Sequence, residues 1–181
     1  MTERLNEILD GCKRGDRLAQ KHFYEIFKGK MFVVCLRYAN NREDAEDILQ
    51  EGFIKVFRDL PQYRGEGSLE GWVRKVILNV ALQYIRRQKN ALHPTELDGL
   101  EYKLGEEDPV FEVGESTTQG LIKLMQKLPP GFRSVLNLYV MEDYSHLQIA
   151  EELGISVGTS KSQLNRAKAF MKTLLEKNLA R

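Results

Sequence analysis

Apolar residues recur at helical spacing along most of the chain, and no segment shows the alternation expected of a strand. The pattern predicts a short amphipathic start over residues 5–18, broken by Gly11 and Gly15. A helix over residues 19–38, which Asp16 can cap, should be buried nearly all round. A second long helix follows Asn41, and a third can be capped by Ser68. These elements predict a bundle of three or four helices.

The periodicity is lost over residues 91–118 and returns at residue 119. This middle segment carries a net charge of −7, whereas residues 1–90 and residues 119–181 each carry +4. Its acids, prolines and glycines predict a flexible linker. We therefore expect an all-α protein of two small helical domains, 1–90 and 119–181, which share one polyanionic partner.

The C-terminal domain contains the pattern of a helix-turn-helix within four helices. Ser145 and Gln148 form a capping box, and Gly154 occupies the place of a left-handed helix end. Ser156 can cap the second helix of the motif. A short turn between two such helices is typical of DNA-binding proteins.

The exposed side of that second helix is rich in residues that bond to base edges and phosphates in the major groove. The candidate DNA-binding residues are Thr159, Lys161, Ser162, Gln163, Asn165 and Arg166. Ser160 stands where such motifs usually bury an aliphatic residue, so we expect looser packing there. The alternative is the solvated face of a plain bundle, which the combination of caps, turn glycine and basic face disfavours.

The third N-terminal helix has a basic, amide-bearing face beside a loop that contains an aromatic residue and a cation. Such a surface suits single-stranded nucleic acid, with an unstacked base resting on Tyr63. Trp72 falls in the core stripe, which favours packing over base stacking for this residue. The candidate residues of this surface are Tyr63, Arg64, Gly65, Asn79, Gln83, Arg86 and Arg87.

The outer face of the second long helix is acidic but includes an isoleucine. Its residues are Asp44, Asp47, Gln50, Glu51 and Ile54. Spacing alone leaves two interpretations open, a solvated face or a protein-binding surface.

Several functions are disfavoured by the sequence. No apolar run approaches the ~20 residues that span a membrane, and the polar N-terminus does not resemble a signal peptide. Cys12 and Cys35 are expected to be reduced thiols of a cytoplasmic protein. No metal-ligand spacing, phosphate-binding glycine loop or nucleophile–base grouping is evident, so we expect neither an enzyme nor a cofactor.

Five phrases of the chain resemble the bacterial extracytoplasmic-function (group IV) sigma factors of RNA polymerase. They are GDRLAQKHFY from Gly15, REDAEDILQEGFIKVF from Arg42, YRGEGSLEGWV from Tyr63, LPPGFRSVL from Leu128 and GISVGTSKSQL from Gly154. Each phrase is a weak signal, but their order on either side of an acidic linker is specific.

This resemblance implies a partner for each surface. The acidic face would dock on the clamp coiled coil of the largest polymerase subunit, with the flap as a further contact. The Tyr63 loop and the Asn79 face would recognise the minus-ten promoter element, capture a flipped base and promote melting. The helix-turn-helix would read the minus-thirty-five element, and the linker would run toward the active-site cleft. A separate anti-sigma protein is the expected regulator.

The chain departs from the family pattern at Ser160, Gln163 and Lys168, where many relatives carry Val, Arg and Arg. The promoter sequence that is read should therefore differ. Two other functions stay open on sequence alone. One is a stand-alone helix-turn-helix regulator that binds duplex operators and dimerises through its N-terminal block. The other is a protein-interaction bundle of the N-terminal helices, or a decoy that binds an anti-sigma protein, in either case without promoter activity.

Overall fold

The computed structural model describes residues 3–91 and 117–179, and every regular element in these two ranges is helical. The all-α prediction is therefore confirmed for the described residues. The helices are α1 (Glu3–Lys13), α2 (Arg17–Tyr38), α3 (Arg42–Asp59), α4 (Leu69–Ala91), α5 (Thr117–Gln126), α6 (Pro130–Val140), α7 (His146–Leu153) and α8 (Val157–Leu179), with a 3-10 turn at Leu60–Gln62. The chain divides into two compact units, residues 1–84 and 85–181.

Local side-chain caps begin the long helices of the first unit. Asp16 accepts a hydrogen bond from the Leu18 backbone N–H at 2.8 Å, and Asn41 accepts one from Asp44 at 2.7 Å. Ser68 accepts one from the Gly71 N–H at 3.1 Å. Each cap satisfies a backbone donor that the helix itself leaves unpaired. The three caps predicted from the sequence are confirmed.

Aromatic and aliphatic side chains from α2, α3 and α4 form the core of the first unit. Phe23 on α2, Ile48 on α3 and Ile77 on α4 are almost completely buried. Gly52 faces α4, where a Cβ atom would collide with Cδ1 of Ile77. The absence of a side chain at Gly52 therefore lets α3 and α4 pack closely.

Two predictions for the first unit are wrong. Helix α1 continues through Gly11, and this buried glycine serves close packing on α2, since a Cβ atom there would approach the Ala19 Cβ to 2.6 Å. Helix α2 is also not buried all round, since Ile26 is 48% exposed and Val33 is 36% exposed. Helical spacing places Ile26 in the core, because it does not distinguish the centre of an apolar stripe from its edge.

The second unit contains α5 to α8 around a core that includes Leu124, Leu138, Ile149 and Leu174. Most of the predicted linker lies outside the described residues, and α5 begins at Thr117. Across residues 3–91 and 117–179, no helix has the length and apolar character needed to cross a membrane.

Candidate nucleic-acid and polymerase interfaces

Helices α7 and α8 form the predicted helix-turn-helix. The Ser145 backbone N–H donates to Gln148 Oε1 at 2.9 Å, while the Gln148 N–H donates to Ser145 Oγ at 3.3 Å, which completes the capping box. Gly154 ends α7 with a left-handed φ of 61°, a conformation that glycine adopts without strain. Ser156 then accepts from the Thr159 N–H at 3.0 Å. These short-range contacts fix where α8 begins.

The exposed side of α8 presents five of the six predicted reading residues to solvent, namely Thr159, Lys161, Ser162, Asn165 and Arg166. Gln163 is only partly exposed. Its side chain lies against α6, where a Cβ atom on Gly131 would be 3.1 Å from Gln163 Nε2. The structure therefore places Gln163 at the α6 contact, and its prediction as a base-reading residue is not supported by this geometry.

Ser160 is completely buried and has a hydrogen-bonding partner, contrary to the expectation of looser packing. Its Oγ lies 2.9 Å from Nδ1 of His146 on α7. A serine bonded to a histidine is also the arrangement that activates hydrolytic nucleophiles. Because Ser160 has no exposed surface, no substrate can reach it in this conformation. Sequence reasoning missed this pair, since its members are fourteen residues apart.

The loop before α4 is held from inside by Tyr63. This residue is only 6% exposed, its hydroxyl donates to the Gly67 carbonyl at 3.1 Å, and its ring centroid lies 5.4 Å from that of Trp72. The predicted role of Tyr63 as an open stacking surface is therefore wrong for this conformation. Gly65 and Gly67 both have a φ of 78°, so the loop turns through conformations that favour glycine. Arg64, which lies between the buried Tyr63 and Gly65 in the chain, is exposed.

A pocket of about 500 Å³ opens between this loop and α4. It is lined by Glu66, Ser68, Gly71, Trp72, Lys75, Val76 and Asn79. Asn79 is the one predicted site residue in this lining. Glu66, Ser68, Lys75 and the half-buried Trp72 were missed as pocket residues, because their convergence depends on how the loop folds back on the helix. The combination of a ring, an amide, a cation and a carboxylate is suited to a flat polar ligand.

Gln83, Arg86 and Arg87 continue along α4 beyond Asn79 and are exposed. Their spacing from Asn79 by four, seven and eight residues places all four on one side of the helix. This side of α4 therefore combines amides with two guanidinium groups.

The outer face of α3 presents four exposed residues, namely Asp47, Gln50, Glu51 and Ile54, and the partly exposed Asp44. Ile54 is 70% exposed, which is the largest exposure among the large apolar side chains of the described residues. The opposite side of α3 is anchored in the core by Ala45, Ile48 and Phe53. Helix α3 thus displays an exposed apolar side chain that follows a run of acidic residues on the same side.

The two cysteines are protected rather than reactive. Burial raises the pKa of the Cys12 thiol to about 11, with a further contribution from the Asp16 carboxylate. Burial also raises the pKa of the Cys35 thiol to about 12. Both thiols stay protonated at neutral pH, and a protonated thiol is a poor nucleophile and metal ligand.

Comparison with known proteins assigns both units to one family. The model of Sigma-70 region 2 matches residues 23–91, and that of Sigma-70 region 4 matches residues 118–171. The chain therefore belongs to the sigma-70 family, among its extracytoplasmic-function (ECF) sigma factors. The family is the one suggested by the five sequence phrases.

Individual relatives agree with this assignment. The chain is 30% identical to the ECF RNA polymerase sigma factor SigE of Mycolicibacterium smegmatis over 91% of its length, and it spans 65% of that relative. It is 28% identical to the ECF RNA polymerase sigma factor SigW of Bacillus subtilis, covering 90% of this chain and 92% of the relative. Among solved structures, the sigma factor RpoE in complex with the anti-sigma factor NepR from Bartonella quintana shares the fold, with a TM-score of 0.51, 18% identity and coverage of 86% and 96%.

The region 2 match bears on the alternative functions. A stand-alone helix-turn-helix regulator would use the first unit only to dimerise, whereas residues 23–91 of that unit match the model of Sigma-70 region 2. The sigma factor function is therefore supported, and the stand-alone regulator is not.

Proposed function

We propose that this chain binds core RNA polymerase, directs it to a class of promoters and assists the melting of the DNA. The observation that carries the proposal is the presence of two different candidate nucleic-acid surfaces in one sigma-family chain. One is the convex helix face of α8, and the other is the concave pocket beside α4. A protein that bound only duplex DNA would have no use for the second surface.

The pocket beside α4 is suited to a base of the minus-ten element that has left the stack. Asn79 can hydrogen-bond to the edge of a base, and the half-buried Trp72 can lie against its face. Arg64, Gln83 and Arg87 would extend this surface toward the sugar–phosphate chain, whereas the guanidinium of Arg86 already donates to the Glu152 carboxylate at 2.6 Å. Unstacking and unpairing a base costs a few kcal/mol, which contacts in the pocket can offset. Base capture would thereby favour strand separation.

The exposed side of α8 is suited to the major groove of the minus-thirty-five element. Arg166 and Lys161 can contact guanine edges or phosphates, and Asn165 can bond to adenine. Thr159 and Ser162 add shorter donors and acceptors at the same face. Gln163 would instead help to hold α8 against α6, near Gly131.

The acidic face of α3 is the proposed contact with the clamp coiled coil of the polymerase. Ile54 would supply an apolar anchor, and the carboxylates that precede it along α3 would favour a basic partner surface. RNA synthesis itself would belong to the polymerase, so no catalytic residue is assigned to this chain. Work with RNA polymerase would place the protein in the cytoplasm, and a separate anti-sigma protein would regulate it.

The α3 contact can be tested by charge reversal. In the Asp47→Arg/Glu51→Arg variant, affinity for purified core polymerase should fall by more than about tenfold, because two attractive contacts become repulsive. The matched control is Glu3→Arg/Glu7→Arg, which makes the same charge change at exposed positions of α1. Equal losses in both variants would show a general charge effect and would contradict the assignment of α3.

The proposed function is tested by run-off transcription with purified core polymerase on fragmented genomic DNA of the source organism. Mapping the RNA 5′ ends locates the promoters directly, whatever their sequence. We expect initiation sites that depend on this chain and share two sequence elements upstream. If the chain does not bind core polymerase, the sigma assignment fails and a duplex-binding regulator becomes the best explanation.

A further inference from the structure

A polar cluster links three helices of the second unit directly behind the reading face of α8. Ser160 on α8 lies 2.9 Å from His146 on α7, measured from Oγ to Nδ1. The His146 ring is stacked on Tyr139 of α6, with centroids 4.8 Å apart and an interplanar angle of 25°. Lys168, two turns along α8 from Ser160, places its Nζ 5.7 Å from the centre of the Tyr139 ring. The contacts therefore lead from α6 to α7 to α8 and back to α6.

The burial of Ser160 distinguishes this contact from an ordinary surface hydrogen bond. Ser160 is 0% exposed and shares the inner side of α8 with Leu164 and Ala167. A buried hydroxyl must keep a partner, because an unsatisfied polar group in such a site costs about 1–3 kcal/mol. A hydrogen bond also depends on direction, whereas aliphatic packing tolerates sliding. The bond therefore restricts how far α8 can rotate about its own axis.

This rotation matters because Ser160 lies between two residues of the reading face. Thr159 and Lys161 are its immediate neighbours, and both are exposed. A rotation of α8 that broke the bond to His146 would shift their side chains along the groove. Base contacts depend on hydrogen-bond distances and angles, so a small shift reduces discrimination between base pairs more than it reduces contact with phosphates.

We propose that His146 and Ser160 are positioning residues for DNA reading, which fix the rotation of α8 and hence the selectivity of the helix-turn-helix without touching DNA themselves. Stacking on Tyr139 holds the histidine ring in place for this role. The inference rests on the proposed reading of duplex DNA by α8. It assigns a function to Ser160, whose hydroxyl replaces the aliphatic packing expected at that position.

The test uses the full-length chain assembled with core polymerase, on a promoter library in which the minus-thirty-five element is randomised. Transcript counts are obtained for each minus-thirty-five sequence. The preference of the holoenzyme is the ratio of the counts for its best sequences to the average count. In Ser160→Ala and in His146→Phe, which retains an aromatic ring for stacking, this preference should fall about tenfold, equivalent to one good base contact. The matched control is Thr173→Val, which removes the hydroxyl that donates to the Ala169 carbonyl within α8. Its preference should be unchanged.

Two further variants separate positioning from stability. The double variant Ser160→Ala/His146→Phe removes both polar partners, so its thermal stability should recover relative to either single variant. Its selectivity should stay low, because the directional contact is gone. Ser160→Thr keeps the hydroxyl and should keep the selectivity. If threonine proves too large for the site, His146→Asn, which retains a polar atom near the position of Nδ1, serves the same purpose.

Selectivity that is unchanged in Ser160→Ala, or that recovers together with stability in the double variant, would overturn the positioning role. If the wild-type holoenzyme itself shows no preference within the randomised element, the proposed reading by α8 fails, and the positioning role fails with it. These two failures are distinguishable. Failure of the positioning role alone is seen only when the wild-type holoenzyme shows a clear preference among minus-thirty-five sequences.

Discussion

The α8 face and the α4 pocket are built in different ways although both are proposed to bind DNA. The α8 face is one side of a single helix, whose start is fixed by the capping serine Ser156 and the turn at Gly154. The pocket has walls from a loop and a helix, and the buried ring of Tyr63 packs against Trp72 of its lining. A convex reading surface can therefore be specified by local signals, whereas a concave site requires tertiary packing.

The largest effect is expected from removing the internal support of the pocket. Tyr63→Ala should lower the free energy of unfolding by roughly 3 kcal/mol, as is typical for deleting a buried aromatic side chain. Tyr63→Phe keeps the ring and loses only the hydrogen bond to Gly67, which should cost about 1 kcal/mol. Denaturation followed by fluorescence of Trp72, the only tryptophan of the chain, reports on this region.

The opposite result would restore a direct role for the tyrosine. If Tyr63→Ala were as stable as the wild type yet failed to melt promoters, the ring would contact DNA after a change in loop conformation.

The next effect concerns the α8 face. Arg166→Ala should weaken binding to the minus-thirty-five duplex about tenfold, within the range for losing one arginine contact to a guanine. Lys172→Ala is the matched control, because it removes an exposed cation of α8 outside the proposed reading set. Fluorescence anisotropy of the holoenzyme with labelled duplex provides the affinities. Equal losses for both variants would indicate a general electrostatic contribution rather than recognition by Arg166.

A smaller effect is expected at the cap of α7. Ser145→Ala removes the side chain that accepts from the Gln148 N–H, and should destabilise the second unit by about 1 kcal/mol. Ser68→Ala removes the equivalent cap of α4 and also alters the pocket wall. Amide hydrogen exchange should therefore locate the first change in α7 and the second in α4. Uniform changes across all helices would contradict this local role of each cap.

The smallest effect at neutral pH is expected from alkylating reagents at the two cysteines, which both occur in the first unit. Iodoacetamide should leave Cys12 and Cys35 unmodified at pH 8, because burial raises the pKa of these thiols to about 11 and about 12. The folded state thus holds these protons more tightly than the unfolded chain does. The resulting stabilisation is complete below the unfolded pKa near 9 and is lost as pH rises through the folded values.

Alkaline denaturation should accordingly begin in the first unit, as monitored by Trp72 fluorescence. Rapid alkylation of the native protein at pH 8 would show that the thiols are accessible and would contradict this account.

Local signals explain most of what the sequence predicted correctly. The caps at Asp16, Asn41 and Ser145 and the left-handed Gly154 each depend on residues within four positions. Such patterns can be recognised in a sequence because all the residues that form the contact lie within about one helical turn. The exposed side of α8 followed from helical periodicity for the same reason.

The errors occurred where distant residues meet. Tyr63 is buried by Trp72, Gln163 lies against Gly131, and Ser160 is paired with His146. Each contact joins residues that are nine or more positions apart in the chain, so periodicity alone could not find it. A polar residue on the inner stripe of a helix, as at Ser160, is nevertheless a signal that a buried partner should be sought.

The two surfaces are proposed to serve different steps of initiation, melting for the α4 pocket and duplex recognition for the α8 face. The most direct test measures run-off transcription by Asn79→Ala and Arg166→Ala holoenzymes on one promoter, prepared either as full duplex or with the minus-ten region already unpaired. We predict that unpairing largely restores Asn79→Ala, since the cost of strand separation has been removed, and leaves Arg166→Ala defective. If unpairing rescued both variants equally, or rescued neither, the assignment of melting to the α4 pocket and of duplex recognition to the α8 face would be contradicted.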